Sequence, residues 1–512
     1  ALLSNVTGTQ GDRFEMGSAS SIGPLLTPAP FVSAAAAAPT PSAAASSTVS
    51  GLPALAGCAS VPHAVEVVKR VSSPRWGWVE LLRDRDPHFV QRDFHPRQVI
   101  RDEELMAAFG SNTPPSGDAV LMYAGDPPAG APRRDTPVIL VHGAAKNAQF
   151  WWDPKEDGSE HGLPQALREQ GYHVYAVSFA HNQDDNLFWA QQVSNVIERV
   201  KKVEGVSKVD LIGHSKGGVP VRTYLSSFGE PWMTKYQGDV RRAMFVASPL
   251  GGLDFSFRHP SVNLALYNAP DQPHFNAPMS WDRMIAYGFW RDVRKEGFGS
   301  DGPDFYPGQR QLLARWDDTY GFSALEPDVR RTYEGGRGFI SESRGIDAFI
   351  HDSGDFMPRL RNTPIDPNVE IAILAGDRAN VPGILNEKDG PSDGILLLRS
   401  ALEAPIGAKV VAEKVFPLHH KAVVSEQAPQ QWIADVLAPA SMPALPEAAL
   451  HQVLDNGLTA GEKYRQAAIA REARAEGASS LGAQAPVQGP GSAGVVAFQP
   501  SNARAFYAEG IV

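Results

Sequence analysis

No stretch of the chain constrains the fold more than residues 209–218, which read Val-Asp-Leu-Ile-Gly-His-Ser-Lys-Gly-Gly. An apolar run that predicts a buried strand leads into Gly-x-Ser-x-Gly, and the residues from 219 onward predict a helix. A sharp turn from strand to helix strains the serine backbone and holds its hydroxyl clear of the sheet. Glycines are needed at Gly213 and Gly217 because side chains would clash where strand and helix close up. Ser215 is therefore the predicted nucleophile.

The predicted nucleophile needs a base. A serine hydroxyl is weak at neutral pH, so a base must lie within hydrogen-bonding distance and an acid must orient that base. On a strand-turn-helix of this kind the acid and then the histidine follow the serine in the sequence. His419 and His420 come directly after the last predicted strand, at residues 408–416, which would deliver them to the carboxyl edge of the sheet beside Ser215. On this ground either histidine qualifies as the base.

The acid has several candidates, all of which follow the strand predicted at residues 369–376. Asp377 lies directly at the end of that strand, the commonest position for such an acid. Asp393 lies in Ser-Asp-Gly-Ile-Leu, while Asp389 and the weaker candidate Glu387 lie between the two. Most of these carboxylates must belong to turns or helix caps. The residues alone leave the choice among them open.

An oxyanion hole requires two backbone N–H groups that point at the developing negative charge. Lys216, the residue after the nucleophile, supplies the first. The second should come from the loop that follows the apolar strand at residues 137–141 and reads His-Gly-Ala-Ala-Lys-Asn. We expect Ala144 to be this second donor.

Strands and helices alternate from residue 136 to 252 and again from 369 to 437, which predicts βαβ units and a mostly parallel sheet flanked by helices. One of these helices is predicted at residues 190–204 and ends before Gly205. Between the two blocks, a long stretch rich in aromatic side chains interrupts the alternation. A structureless loop of such length is improbable, so residues 253–360 are predicted to be an inserted cap of short helices. The cap is either a second small core or, in part, a lid that lines an acyl-binding cleft.

The predicted domain organisation places the core at residues 61–252 and 361–440, on either side of the cap. Residues 1–60 are rich in Ala, Pro, Ser, Thr and Gly, a composition that buries little apolar surface and predicts a flexible segment. Residues 441–512 are predicted to form a helical and then a disordered tail.

Composition excludes several classes of partner. The net charge of −10 argues against nucleic acid as the main partner, because phosphate binding needs a basic surface. No apolar run is long enough to predict a transmembrane helix. The single cysteine, Cys58, excludes an intrachain disulfide. No His/Cys cluster has the spacing of metal ligands, so neither a metal nor a cofactor is predicted. The sequence does not give the oligomeric state.

These motifs resemble those of bacterial lipases and esterases of the α/β-hydrolase fold, in particular the triacylglycerol lipases. The matching segments occur in the right order and comprise residues 141–143, 213–218, 247–252, 392–395 and 420–423. In those lipases an Asp-Gly-aliphatic motif carries the catalytic acid, and the catalytic histidine follows it. The resemblance therefore favours Asp393 over Asp377 and His420 over His419.

The resemblance implies a serine hydrolase that cleaves carboxylic esters, in small-molecule or lipid substrates, through an acyl-enzyme on Ser215. His420 would transfer the proton and Asp393 would orient its imidazole. Lys216 stands where such lipases often have Met or Gln, although only its backbone is needed. Some of these lipases bind calcium through an Asp shortly after the histidine, whereas residues 421–424 here are Lys-Ala-Val-Val, so no metal is expected.

The same fold and triad also serve polyester depolymerases and acyltransferases, because a fold does not fix the substrate. A non-catalytic α/β-hydrolase that acts as a binding protein is an alternative from another class. The missing initial Met, together with the resemblance, leads us to expect a secreted or periplasmic protein.

Overall fold

The computed structural model describes residues 63–96, 98–267, 281–295, 303–380 and 392–438. The contacts divide the chain into two units, and every described residue belongs to the second, Ala59–Val512. The predicted flexible segment at 1–60 and the predicted tail at 441–512 lie outside the described residues. Asp389 and Glu387 also lie outside them.

Two β-sheets organise the described part of the chain. In chain order the strands are β1 (Val65–Val71), β2 (Trp78–Asp84), β3 (Asp118–Tyr123), β4 (Val138–Val141), β5 (Val174–Phe179), β6 (Val209–His214), β7 (Val240–Val246), β8 (Arg283–Ala286), β9 (Phe289–Asp292), β10 (Gly336–Arg337), β11 (Ser341–Ser343), β12 (Glu370–Gly376) and β13 (Lys409–Phe416). The large sheet has nine strands in the order β1-β2-β3-β5-β4-β6-β7-β12-β13, and the small sheet has four in the order β10-β11-β8-β9.

Helices connect these strands and cover both faces of the large sheet. In chain order they are α1 (Glu103–Phe109), α2 (Gln149–Trp152), α3 (Leu163–Glu169), α4 (Asn186–Glu204), α5 (Gly218–Leu225), α6 (Phe255–Arg258), α7 (Pro260–Tyr267), α8 (Pro307–Arg310), α9 (Val329–Glu334), α10 (Ile346–Asp352), α11 (Phe356–Arg361), α12 (Leu398–Ala401), α13 (Ala422–Ser425) and α14 (Gln427–Leu437). No helix in the described ranges is long and apolar enough to cross a membrane.

The large sheet is mostly parallel. Strands β5, β4, β6, β7, β12 and β13 run in one direction, and β1, β2 and β3 add an antiparallel edge. Strand β4 pairs with β5 on one side and with β6 on the other. The chain therefore adds its next strand on one side of β4 and the following strand on the opposite side, which makes β4 the point where the strand order reverses. Ligands of open α/β sheets bind at such a switch point, beside the carboxyl ends of the strands. The predicted α/β-hydrolase fold, with helices on both sides of the sheet, is confirmed.

The central strands are continuous apolar runs because both of their faces are buried. In β4, Val138 and Leu140 face one core, which also contains Trp151 and Leu163. Ile139 and Val141 face a second core on the opposite side of the sheet. This second core contains Trp189 of α4 and Val221 of α5 among others. The two cores hold the sheet between two helical layers and keep the ends of β4 and β6 in fixed positions.

Helix α4 begins four residues earlier than the apolar periodicity predicts. The side chain of Asp185 caps its N-terminus by accepting a hydrogen bond from the backbone N–H of Leu187 over 2.8 Å. The helix ends as predicted, at Gly205, whose φ of 67° is favourable for glycine. Its N-terminal turn is therefore set by a capping residue rather than by the apolar pattern.

The region between β7 and β12 contains the predicted short helices and also the small antiparallel sheet, which the sequence analysis did not predict. The turn between β8 and β9 consists of Tyr287 and Gly288, both with positive φ, which matches the twist of a two-residue hairpin. Leu253 forms a bridge to Leu313, and Val219 of α5 packs in the same apolar cluster as the cap residues. The described part of the cap thus packs on the helix that follows Ser215.

Asp210 forms a buried ion pair near the start of β6. Its side chain is fully buried, and the Arg241 guanidinium donates to both carboxylate oxygens, with Nε 2.9 Å from Oδ1. The backbone N–H of Arg242 donates to Oδ1 over 3.1 Å. Burial raises the pKa of Asp210, and Arg241 opposes that rise. Since Asp210 precedes Ser215 by most of a strand, this pair supports the sheet and not the site.

Asp210→Asn should lower the free energy of unfolding by about 3 kcal/mol, because it leaves the partly buried Arg241 without its carboxylate. Denaturation with guanidinium chloride measures the change. The control is Asp135→Asn, since Asp135 pairs with Arg133 on the surface and should not alter the denaturation midpoint. A loss below about 1 kcal/mol for Asp210→Asn would contradict the structural role of the pair.

Candidate active site

Ser215 lies at the turn between β6 and α5, at the carboxyl edge of the sheet. Strand β6 ends at His214, a short 3-10 turn spans Ser215–Gly217, and α5 begins at Gly218. The φ of Ser215 is 53°, a left-handed conformation that is costly for a residue with a side chain. The structure thus has the strained strand-to-helix turn that the sequence predicts at Ser215.

The glycines around Ser215 make the turn possible. A Cβ at Gly213 would lie 2.7 Å from the Cα of Gly218, and a Cβ at Gly217 would overlap the carbonyl groups of Val141 and His142. The sequence predicts that strand and helix approach closely at both glycines. The structure agrees at Gly213, and at Gly217 the close neighbour is the end of strand β4.

The structure brings Asp393 and His420 to Ser215. Nε2 of His420 lies 2.9 Å from Oγ of Ser215, and Nδ1 of His420 lies 2.7 Å from Oδ2 of Asp393. The other carboxylate oxygen, Oδ1, accepts hydrogen bonds from the backbone N–H groups of Ile395 and Leu396, over 3.0 and 2.8 Å. The backbone N–H of His420 also donates to the backbone carbonyl of Asp393 over 2.9 Å. Backbone hydrogen bonds thus hold the carboxylate of Asp393 and tie the backbone of His420 to that of Asp393.

The alternative residues occupy other positions. Asp377 lies directly after β12 and pairs with Arg378 at 3.1 Å, and partial burial raises the pKa of its carboxyl. Burial lowers the pKa of His419, whose side chain is half-buried next to the histidine that contacts Ser215. Among the contacts of the described residues, neither side chain reaches Ser215.

His214 supports the loop that carries the histidine of the site, a role that sequence reasoning missed. Its ring is fully buried and stacks on Phe150, with 5.4 Å between the ring centroids. Nε2–H donates to the carbonyl oxygen of His420 over 3.3 Å. Burial holds the pKa of His214 well below its usual value, so the ring is neutral at neutral pH. The only signal in the sequence was its place between Gly213 and Ser215.

The loop after β4 lies against Ser215. A Cβ at Gly143 would lie 2.8 Å from the Cβ of Ser215. The N–H of Ala145 donates to the carbonyl oxygen of Asn182 over 3.1 Å, which commits this amide to a neighbouring loop. Ala144, the residue between Gly143 and Ala145, therefore stays the candidate for the second oxyanion donor.

Lys216, the candidate for the first oxyanion donor, has a fully buried side chain. Its Nζ donates to the carbonyl oxygen of Asp184 over 2.9 Å and lies 3.1 Å from the ring centroid of Trp189. Burial holds the pKa of this amine well below its usual value. The sequence motif predicts a role only for the backbone N–H of Lys216 and gives no sign of these side-chain contacts.

Glu156 links the two loops that flank Ser215. Its Oε1 accepts from Nζ of Lys146 over 2.9 Å, and its Oε2 accepts from Nζ of Lys421 over 2.7 Å. Lys146 belongs to the loop after β4, and Lys421 directly follows His420. This bridge joins residues that are far apart in the sequence, so no local pattern indicates it.

A small cleft opens beside the loop after β4, with a volume of about 50 Å³. Its walls come from residues 98–102, from α1 through Leu105 and Phe109, from residues 145–147, and from the end of β5. The cleft therefore begins one residue from Ala144. Within the described ranges, no group of three or more His, Cys, Asp or Glu side chains is arranged to hold a metal ion.

Comparison with known proteins agrees with the fold and with the elbow. Residues 138–377 match the family described as the alpha/beta hydrolase family. This match and the nine-stranded, mostly parallel sheet agree that the described residues have the α/β-hydrolase fold.

Within this class the chain is similar to bacterial triacylglycerol lipases, as its motifs predict. It is 35% identical over 92 residues to a triacylglycerol lipase of Vibrio cholerae serotype O1, which covers 18% of this chain and 27% of that lipase. It is 33% identical over 122 residues to a triacylglycerol lipase of Burkholderia plantarii, which covers 21% of this chain and 31% of that lipase. The chain thus spans less than a third of the length of either relative.

Solved structures show more distant likeness. A lipase of Bacillus licheniformis in its mature form matches 62% of this chain and 98% of its own, at 13% identity and a TM-score of 0.36. A monoacylglycerol lipase of Paleococcus ferrophilus matches 62% of this chain and 97% of its own, at 17% identity and a TM-score of 0.30. Likeness at this level carries no argument about function.

Gly217→Ala should disrupt the elbow, because the added methyl group would overlap the carbonyl groups at the end of β4. We expect a lower melting temperature and loss of the reactivity of Ser215. The matched control is Gly321→Ala, since a Cβ at Gly321 meets no atom within 4 Å. Thermal unfolding of both variants measures the difference, and equal melting temperatures would contradict the close contact at Gly217.

Proposed function

We propose that the protein is a carboxylic ester hydrolase of the lipase/esterase class, and that it works through an acyl-enzyme on Ser215. The proposal rests on one observation, two consecutive hydrogen bonds that join Asp393, His420 and Ser215. Nδ1 of His420 lies 2.7 Å from Oδ2 of Asp393, and Nε2 lies 2.9 Å from Oγ of Ser215. Such a chain supplies a nucleophile, a base and a group that orients the base. The similarity of part of the chain to bacterial triacylglycerol lipases supports the choice of esters as substrates.

In the first step, Oγ of Ser215 attacks the ester carbonyl carbon while Nε2 of His420 takes the hydroxyl proton. The carbonyl electron pair moves to the oxygen, where the N–H groups of Lys216 and Ala144 stabilise the negative charge. Asp393 accepts the hydrogen bond from Nδ1–H, which stabilises the imidazolium. Its second oxygen is occupied by two backbone donors, so the carboxylate does not rotate away.

In the second step, the tetrahedral intermediate collapses and the alcohol leaves with the proton from His420. A water molecule then attacks the acyl-enzyme, with His420 as the base, and the carboxylic acid is released from Ser215. Each oxyanion donor of such a site is worth about 3 kcal/mol of transition-state stabilisation. The mechanism uses only groups of this chain and water, so it calls for no cofactor.

The small cleft beside Ala144 is the candidate site for one of the two substituents of the ester carbonyl. Its walls contain both polar groups, such as Arg101 and Asn147, and apolar groups, such as Leu105.

A polyester depolymerase or an acyltransferase would also use Ser215, His420 and Asp393. The first would differ in the ester that it accepts, and the second in the acceptor of the acyl group. A binding protein without catalysis would have no need of the intact proton-transfer chain.

Ser215→Ala should abolish both ester hydrolysis and covalent labelling by a fluorophosphonate probe, because the probe phosphonylates an activated serine. Rates with p-nitrophenyl esters of increasing acyl length, together with gel detection of the labelled protein, measure both effects. The control is Ser248→Ala, since Ser248 is buried and donates to the carbonyl of Gly213, and this variant should still be labelled. Labelling of Ser215→Ala equal to that of the wild type would refute the proposal.

Asp393→Asn should lower kcat by about 1,000-fold or more, since an amide cannot hold the imidazole in the required tautomer and cannot stabilise its cation. Asp377→Asn is the matched change at the alternative acid and should retain kcat within about threefold, an effect below 1 kcal/mol. Steady-state kinetics with one short-chain p-nitrophenyl ester compare the two. A larger loss in Asp377→Asn than in Asp393→Asn would reverse the assignment of the acid.

A further inference from the structure

The buried amine of Lys216 calls for an explanation beyond its backbone N–H. Taking an ammonium out of water costs several kcal/mol, and an apolar side chain of similar length would avoid that cost. The amine instead donates to the carbonyl of Asp184 and lies over the ring of Trp189. Its presence therefore points to a role for the hydrogen bond that it makes.

The loop that accepts this hydrogen bond connects β5 to α4 and comprises residues 180–185; we call it the β5–α4 loop. The same loop holds the other side of the oxyanion hole, because the carbonyl of Asn182 accepts from the N–H of Ala145 over 3.1 Å. Lys216 and Ala144, the two candidate oxyanion donors, are thus connected through one short loop. Lys216 contacts this loop through its own side chain, and Ala144 is connected to it through the N–H of the next residue, Ala145.

The cap fixes the same loop from another direction. The N–H of Gly308 in α8 donates to the carbonyl of Gln183 over 3.2 Å, and Nε2 of Gln309 donates to Oε1 of Gln183 over 2.7 Å. The lysine side chain lies against Gly308, where a Cβ would come within 2.5 Å of Cε and 2.7 Å of Nζ. The β5–α4 loop is therefore held between Lys216 and helix α8.

The charges around the amine compensate one another. The carboxylates of Asp184 and Asp185 favour the charged amine, and Arg92 donates to Oδ1 of Asp184 over 2.9 Å. Burial raises the pKa of Asp184 to about 6 despite this partner. His142 and His181 also lie near the amine, and burial lowers the pKa of each to about 3, so both rings are neutral. The amine thus belongs to a buried polar network that also contains Asp184, Asp185 and Arg92.

We propose that Lys216 acts through its side chain as a positioning residue for the oxyanion hole. Held by Lys216 and by α8, the β5–α4 loop sets the distance between the N–H groups of Lys216 and Ala144. This inference rests on the proposed ester hydrolysis and deepens it. Since the two amides act on the charge that develops in the transition state, a displaced loop lowers kcat and leaves substrate binding nearly unchanged.

The test replaces the amine with a side chain of similar length in Lys216→Met. We expect kcat to fall by about 10- to 100-fold, because small displacements of catalytic groups cost up to about 100-fold. The KM for a short-chain ester should stay within about threefold, as expected for a loss confined to the transition state. A phenylboronic acid, whose adduct with Ser215 places an oxygen in the oxyanion hole, should bind more weakly by the same factor as the loss in kcat.

Lys201→Met is the matched control, since Lys201 lies on α4 and pairs with Glu198 and Asp239 away from the site. This variant should be less stable than the wild type but should keep its kcat and its boronic acid affinity. A purely structural role of Lys216 would give the same result in both variants. Unchanged kcat in Lys216→Met, or a lower kcat with unchanged boronic acid affinity, would overturn the inference.

Gln309→Leu tests the inference from the side of the cap if Lys216→Met does not fold. It removes the hydrogen bond to Gln183 and leaves the lysine in place. We expect a smaller loss of kcat, about 3- to 10-fold, with a matching loss of boronic acid affinity and an unchanged KM. Wild-type values for all three would overturn the inference. A wild-type protein that neither hydrolyses esters nor reacts with a fluorophosphonate would instead overturn the proposed function.

Discussion

The left-handed backbone of Ser215 is the constraint on which the site depends. A residue with a side chain adopts a φ of 53° only where its surroundings fix both neighbours. Strand β6 fixes the residue before it through its pairing with β4 and β7, and α5 begins within one short turn after it. Gly213 and Gly217 let strand, helix and the end of β4 approach closely enough to maintain this geometry. The strain is thus sustained by the large apolar cores on both faces of the sheet.

Hydrogen bonds then fix the orientation of the side chains and loops around Ser215. Apolar packing alone does not fix it, because hydrophobic burial has no preferred direction. Two backbone N–H groups hold the carboxylate of Asp393, and the neutral ring of His214 supports the loop of His420. On the other side of Ser215, the carbonyl of Asn182 holds the loop that contains Ala144. Buried polar groups of this kind are expensive unless they are paired. Their concentration around one serine is consistent with a site that has to place several atoms accurately.

Several features were predictable because they follow from local patterns. The apolar runs of β4, β5 and β6 predict strands buried on both faces, and Gly205 predicts the end of α4. The start of α4 was placed too late because it depends on capping by Asp185, which lies outside the apolar pattern. The small sheet of the cap was missed because its strands are short and half-exposed, and because its hairpin turn uses Tyr287 at a positive φ where sequence rules expect Asn, Asp or Gly.

Local patterns in the sequence were enough to predict the strained turn at Ser215 and the parallel strands around it. The sequence also places the candidate acids and histidines after the serine. The residues alone left the choice between Asp377 and Asp393 open, and only the resemblance to lipases favoured Asp393. The tertiary structure decided which carboxylate lies beside His420, because the path of a loop depends on what packs against it. It alone revealed the contacts of Lys216, since they join residues that no sequence spacing relates.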